Sequence, residues 1–321
     1  MKRSDAIGDV LIDSASVRDA VEQFTDMTPV MSRQVAGMHV WLKCENLQRT
    51  GSFKVRGAAA ALGALARDVK ARGVVACSSG NHGRAVAYVA KSMGIPATIC
   101  VPQWIDPQKL TAIKLNEAQV VADGKTYDES EAEAIRLAQE RSLAFVGPFD
   151  DLNVIAGQGT LGLELLDQIE NLRTVVIPVS GGGLAAGVAH ALKSRKADIE
   201  VVGVSASSAR VMLASLQVGR PVTLPETETL ATALAGGIGQ QNRYTLQAVQ
   251  SLVDRHVEVS EEEIADAIRF AAGELKLVIE GGGAVGLAAL LARKLGTLEQ
   301  PCCIVLSGGN IDPKALASVL A

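Results

Sequence analysis

From residue 74 onward the chain alternates short apolar runs with longer stretches of helical spacing. Val74-Val75-Ala76, Ala97 to Val101, Gln119 to Ala122 and Leu143 to Val146 have the length and branched content of buried strands. Between them, Arg84 to Met93, Gln108 to Leu115 and Tyr127 to Arg141 repeat apolar residues at the period of a helix face. After an irregular stretch, Gly147 to Asn153, the rhythm resumes: a strand at Val175 to Val179, a helix from Leu184, and strands at Glu200 to Val204 and Cys303 to Leu306. Strand and helix in alternation predict parallel sheets joined by crossover helices. The run from Ser215 to Thr229 shifts to Pro, Thr and Gly and predicts a surface excursion. No internal repeat is visible. The pattern predicts an α/β protein of two βα lobes with a cleft between them.

Composition narrows the function classes. The 321 residues are 48% hydrophobic and 21% charged, which excludes disorder and coiled coil, and 31 glycines exceed what helix packing alone uses. The formal net charge is −4 and no run of Lys and Arg exceeds two, so the expected partner is a small molecule, not nucleic acid or an anionic membrane. Met1 to Val21 carries Asp5, Asp9, Asp13 and Asp19 and reads against a leader peptide, and no run of apolar residues is long enough to span a bilayer. The five cysteines form neither a Cys-x-x-Cys pattern nor a disulfide framework, as expected of a cytoplasmic protein.

Glycines concentrate where strands give way to helices. Ser180-Gly181-Gly182-Gly183-Leu184 follows an apolar strand and opens a helix, an arrangement that turns free backbone N–H groups and the positive end of a helix dipole toward an anion. A dinucleotide reading also fits the spelling, as it does at Gly281, Gly283 and Gly286, but the next strand ends Val202-Gly203-Val204-Ser205 without the acid that reading needs. Gly281 to Gly283 is equally well explained by close helix packing. A phosphate site without a nucleotide signature directs attention upstream, to Gly51-Ser52-Phe53-Lys54-Val55-Arg56. There Lys54 is expected to begin an amphipathic helix, with the helix dipole and Arg56 disfavouring its charge, as a Schiff-base amine requires. Ser78-Ser79-Gly80-Asn81-His82 again follows a strand and suits a carboxylate, and Ser307-Gly308-Gly309-Asn310 ends the final strand with a hydroxyl toward the cleft.

Taken together, and in this order, these motifs resemble the serine/threonine dehydratase family of fold type II pyridoxal-phosphate enzymes, which includes serine racemase. The resemblance runs from Thr28-Pro29 to Asn310. It implies two parallel-sheet α/β domains: residues 1-66 and 150-321 as a large cofactor domain, and 67-149 as a small domain carrying the Ser78 to His82 loop. It implies pyridoxal 5'-phosphate as cofactor, bonded to Lys54, with Phe53 beside the ring, Asn81 on the ring hydroxyl and Ser307 facing the ring nitrogen. Ser180, Gly181, Gly182, Gly183 and Leu184 are expected around the phosphate and Glu280 at the cofactor. Ser78, Ser79, Gly80, Asn81, His82 and Gly236 are expected at the substrate, and Ser79 also as a candidate acid. The implied activity is loss of water from a β-hydroxy-α-amino acid, giving a 2-keto acid and ammonia, in a homodimer. A racemase, or a dehydratase of hydroxyectoine utilisation, which Leu234 to Thr245 and Glu280 to Gly283 resemble, is the alternative. Val55 and His82 argue against β-replacement. Members similar to serine racemase place acids after the strand that here ends at Val204. Ser205 to Val211 contains none, so no metal is expected.

Overall fold

The computed structural model describes residues 13–321 apart from Ser79, Trp104, Asp106 and Thr126, so most of the acidic N-terminal stretch lies outside the described residues. Among the described residues ten strands form two sheets. They are β1 (Val30–Val35), β2 (Met38–Cys44), β3 (Val74–Cys77), β4 (Ala97–Val101), β5 (Gln119–Ala122), β6 (Ala144–Phe145), β7 (Thr174–Pro178), β8 (Glu200–Ala206), β9 (Arg255–Val259) and β10 (Cys302–Leu306). The six-stranded sheet runs β1-β2-β10-β7-β8-β9 and the four-stranded sheet β5-β4-β3-β6. Every pair is parallel except the β1/β2 hairpin.

Strands β3, β7, β8 and β10 are buried almost throughout, because helices cover both faces of a parallel sheet and leave no wet side for alternation. One face of the large sheet packs Val176, Val202 and Ile304 under the helix Gly281–Leu291, and the other packs Val175, Ile177 and Val305 under the helix Gly183–Lys193. β10 lies between β2 and β7, pairing Leu306 with Cys44 and Ile304 with Val176. The chain segments leaving the carboxyl ends of β2, β10 and β7 therefore emerge side by side, where ligands bind in open α/β sheets.

Two expectations need correction. Residues Val211–Val218 form a helix with Ser215 buried in it, so the surface excursion begins only at Gly219. The helix Lys54–Gly63 is not amphipathic: Val55 through Leu62 are all buried. It lies so close to the helix Leu152–Gln168 that a Cβ on Gly57 would overlap Gln158, and one on Gly157 the Arg56 carbonyl.

A buried ionic cluster fixes that helix. Arg56 donates to Glu45 through Nε and Nη2 (both 2.8 Å) and to Glu164 through Nη1 and Nη2 (2.6 and 2.9 Å). Lys43 Nζ donates to Glu164 (2.6 Å), the Thr28 carbonyl (2.9 Å) and Gln168 (2.7 Å). Burial alone would raise the Glu45 carboxyl, but the Arg56 guanidinium overrides it and holds the group below the usual carboxylate range.

Candidate active site

Between the two sheets lies a cavity of about 590 Å³, bounded by the carboxyl ends of β3, β7 and β10. Lys54 lines it as the first residue of its helix, reached through a turn in which Gly51 takes φ +75°, a conformation open to glycine. The turn is fastened to the end of β10: Phe53 N donates to the Ser307 carbonyl (3.1 Å), and Ser52 bridges Gly308. Lys54 Nζ donates to the Pro148 carbonyl at 2.7 Å and lies 5.4 Å from the Phe53 ring centroid. Desolvation lowers its pKa to about 8, against the opposing pull of Glu280. Arg56, expected to contribute, is neutralised by Glu45 and Glu164 and faces away into the ionic cluster.

Beside it, β7 ends and the helix Gly183–Lys193 begins, with Gly182 at φ +88° and no acid in the first turn. The opening N–H groups of a helix have no intrahelical acceptor, so Gly183 and Leu184 present donors to the cavity they line. A Cβ on Gly181 would overlap the Phe149 ring. Ser180 Oγ donates to the Leu234 carbonyl at 2.7 Å. This donor set, uncrossed by negative charge, fits a phosphate.

From the small sheet comes the β3 loop. Ser78 Oγ accepts from Gly80 N (3.1 Å), Asn81 opens the helix Asn81–Met93, and Ser79 lies outside the described residues. His82 Nε2 donates to the Val146 carbonyl at 2.9 Å, and burial drives its pKa down to about 3, so the ring is neutral. Asn81 Nδ2 donates to Glu280 Oε1 (2.5 Å), and Glu280 N is tied to the Gly308 carbonyl (3.0 Å). Ser307, buried at the end of β10, directs Oγ at the Gly282 carbonyl (3.4 Å). Gly281 and Gly283 serve close packing: a Cβ on either would overlap the backbone of Leu230 or Gly308. Gly236, at φ +100°, lines the cavity with open space where a side chain would stand.

Except for Ser79, the residues expected at a cofactor or substrate thus line one cavity. Sequence reasoning gave no role to Pro148, whose carbonyl holds Lys54, to Phe149 beneath the glycine loop, or to Asp150. The Asp150 carboxylate accepts from the N–H groups of Arg243, Tyr244 and Thr245 (2.7, 2.9 and 2.9 Å) and so ties the stretch after β6 to the far wall. The only local signal was the irregular segment Gly147 to Asn153 that interrupts the strand-helix rhythm. Among the described residues no group of acids, histidines and cysteines suits a metal ion.

Comparison with known proteins gives a consistent result. The family described as "Pyridoxal-phosphate dependent enzyme" matches residues 21–308. A putative threonine dehydratase of Sinorhizobium fredii is 42% identical over 299 residues, covering 92% of this chain and 90% of its own. An L-threonine ammonia-lyase of Thermotoga maritima is 43% identical over 287 residues, covering 89% and 71%. The structure of maize serine racemase superposes with a TM-score of 0.89 at 34% identity, over 95% of this chain and 96% of that one.

Proposed function

The chain belongs to the pyridoxal-phosphate dependent enzymes, and from that premise we propose how its cleft removes water from a β-hydroxy-α-amino acid and yields a 2-keto acid and ammonia. The observation that carries the reading is a lysine amine drawn toward neutrality, a helix N-terminus free of acid and a buried serine hydroxyl around one cavity. Pyridoxal 5'-phosphate, when bound, supplies an aldehyde that captures amines and a ring that takes up negative charge from the α-carbon.

Each residue then has a task that its surroundings support. Lys54 is the amine that holds the aldehyde, and its Nζ is also the group that moves the α-proton. A pKa near 8 leaves an appreciable unprotonated fraction at neutral pH, and the Pro148 carbonyl aims the nitrogen. The N–H groups around Ser180 to Leu184 would hold the phosphate, with Phe149 packed beneath and the Ser180 hydroxyl fixing the loop through the Leu234 carbonyl. Asn81 would donate to the ring oxygen and Phe53 would pack beside the ring, while Glu280 receives the other Asn81 hydrogen. Ser307 would face the ring nitrogen with a hydroxyl in place of a carboxylate, a partner that makes the ring a weaker electron sink and favours prompt loss of the β-hydroxyl. Ser78, Ser79, Gly80 and the N–H groups of Asn81 and His82 gather the substrate carboxylate, and Gly236 borders its side chain. The hydroxyl leaves as water with the proton that Lys54 Nζ takes from the α-carbon. The released enamine takes up water and breaks down to the keto acid and ammonia.

Incubating the holoprotein with L-threonine or L-serine tests this. Keto acid and ammonia should appear in equal amounts, and Lys54→Ala should abolish both; retention of about a tenth of the turnover would refute the Lys54 assignment. The likeness to maize serine racemase supports a second reading, racemisation with Ser79 as the opposite-face acid, which chiral chromatography of recovered substrate distinguishes.

We also read the protein as a cytoplasmic homodimer. The five cysteines, all buried and none in a disulfide, support a reducing compartment. The exposed Met27, Leu47 and Val278 are drawn to one surface by the bonds Asn46 Nδ2 to Val278 O and Gln48 Nε2 to Asp26 O, and support a partner there. Light scattering on the eluting protein measures the assembly.

A further inference from the structure

Asn81 is one end of a longer hydrogen-bonded chain. Arg84, one helical turn further along the same helix, donates from Nη1 to Asn310 Oδ1 at 2.7 Å. Asn310 Nδ2 donates both to the Thr50 carbonyl (2.9 Å) and to Asn81 Oδ1 (2.7 Å). Asn81 Nδ2 completes the series at Glu280 Oε1 (2.5 Å). Residues 81 and 84 belong to the helix after β3, while 310 follows β10 and 280 precedes the helix Gly281–Leu291, so the chain crosses the cleft from one sheet's elements to the other's.

The direction of this chain is fixed by chemistry at its ends. A guanidinium has only donors, a main-chain carbonyl and a carboxylate only acceptors, whereas an asparagine amide has one end of each kind and similar shape either way round. Arg84 must take the Asn310 oxygen, which turns the Asn310 amino group to Thr50 and Asn81. Asn81 must then accept on Oδ1 and donate on Nδ2. Its Nδ2 carries a second hydrogen that Glu280 does not use. Arg84 is half-buried and lines the cavity, and its hydrogen bond is to Asn310 and not to a carboxylate. Burial lowers its pKa, with no acid opposing.

We propose that Arg84 and Asn310 are positioning residues that lock the Asn81 amide in its donating orientation, so that the ring oxygen of the cofactor always meets an N–H and is held in its ionised form. The inference rests on the reading that Asn81 faces that oxygen. Without the lock, Glu280 alone holds Asn81 to that orientation, and the amide turns more often to present its own oxygen, which repels an ionised partner. The charged and titratable groups lining the same cavity are Glu280, Arg84, Lys54, His82, Lys125, Glu226 and Asp312; the first two set the orientation of Asn81, Glu280 directly and Arg84 through Asn310.

The test is the absorption spectrum of the holoprotein as a function of pH, with cofactor content and thermal unfolding checked for each variant. Arg84→Met should move intensity from the long-wavelength band of the ionised ring oxygen to the near-ultraviolet band and raise the midpoint of that change by about one pH unit, a tenfold shift. Arg84→Lys, which keeps a donor, should return it toward the wild type. Asn310→Asp, which keeps the size but loses the donor, should shift the same way as Arg84→Met and decides the matter if Arg84→Met fails to fold or to load. Asn81→Ala is the control. If it shifts the spectrum while Arg84→Met and Asn310→Asp leave it unchanged, the positioning role is overturned and the Asn81 reading stands. A shift in Arg84→Met that Lys does not reduce also overturns the role. If Asn81→Ala itself changes nothing, the underlying reading fails and the proposal with it.

Discussion

Lys54 sits between two opposing influences: surrounding protein disfavours its charge, and Glu280 favours it. The first wins, so the folded protein binds a proton at this amine less readily than the unfolded chain. A lysine lowered from 10.5 to about 8 costs stability fully below pH 8, and the cost fades as pH rises toward 10.5. The apoprotein of Lys54→Met should therefore be more stable than wild-type apoprotein at pH 7, by about 1 kcal/mol after discounting for the cavity's solvent, with the advantage disappearing between those pH values. Urea unfolding at pH 7, 9 and 10.5 measures it, and an advantage that grows with pH has the wrong sign. At Ser307, substitution by Asp puts a carboxylate at the expected ring-nitrogen position and strengthens the electron sink. More racemised substrate per keto acid formed is the expected outcome, read by chiral chromatography, and an unchanged ratio contradicts the assignment.

Among the elements, the glycine loop and the Lys54 helix are held in different ways. The loop after β7 depends on absent side chains, so Gly181→Ala, whose Cβ would overlap the Phe149 ring, should weaken cofactor binding by about tenfold or more in equilibrium dialysis while far-ultraviolet dichroism stays unchanged. The Lys54 helix depends on buried charge. Glu164→Ala leaves Lys43 and Arg56 short of a counter-ion and should cost about 3–5 kcal/mol in urea unfolding, far more than a surface acid such as Glu299. These elements also explain what the sequence could and could not disclose. Strands β3, β7 and β10 announce themselves by apolar runs ending in Ser, and the loops they feed carry the expected site residues. β2 does not, because Lys43 interrupts its run and is paired with Glu164, 121 residues away. β9, Arg-His-Val-Glu-Val, is a half-buried edge with no apolar run to notice. Arg84 and Asn310 reveal themselves only when the loop after β10 is seen across the cleft from the helix after β3, since no local pattern brings residue 310 to residue 81.

For the molecule as a whole, the cleft is roomy where the substrate's side chain would extend. Ala233, Ala235, Gly236 and Gly237 line it, and Gly236 has no atom within 4 Å of where a Cβ would be. A threonine methyl leaves such space unfilled, and each missing apolar group forfeits about 1–3 kcal/mol. A β-hydroxy amino acid bulkier than threonine should show the higher kcat/KM in a keto-acid assay across serine, threonine, 3-hydroxyaspartate and 3-phenylserine; threonine leading that series would remove the argument. The position of β10 bears on the protein's synthesis. The four-stranded sheet is built wholly from residues 74 to 145 and can be complete while the rest of the chain is still on the ribosome. The six-stranded sheet cannot, because the strand that joins β2 to β7 is the last of the ten to emerge. Until Cys302 to Leu306 slots into that gap, the lysine turn, the glycine loop and Ser307 have no common frame. A nascent chain stalled before residue 302 should already protect its small sheet from protease yet remain colourless in pyridoxal phosphate, so that cofactor capture marks the arrival of β10.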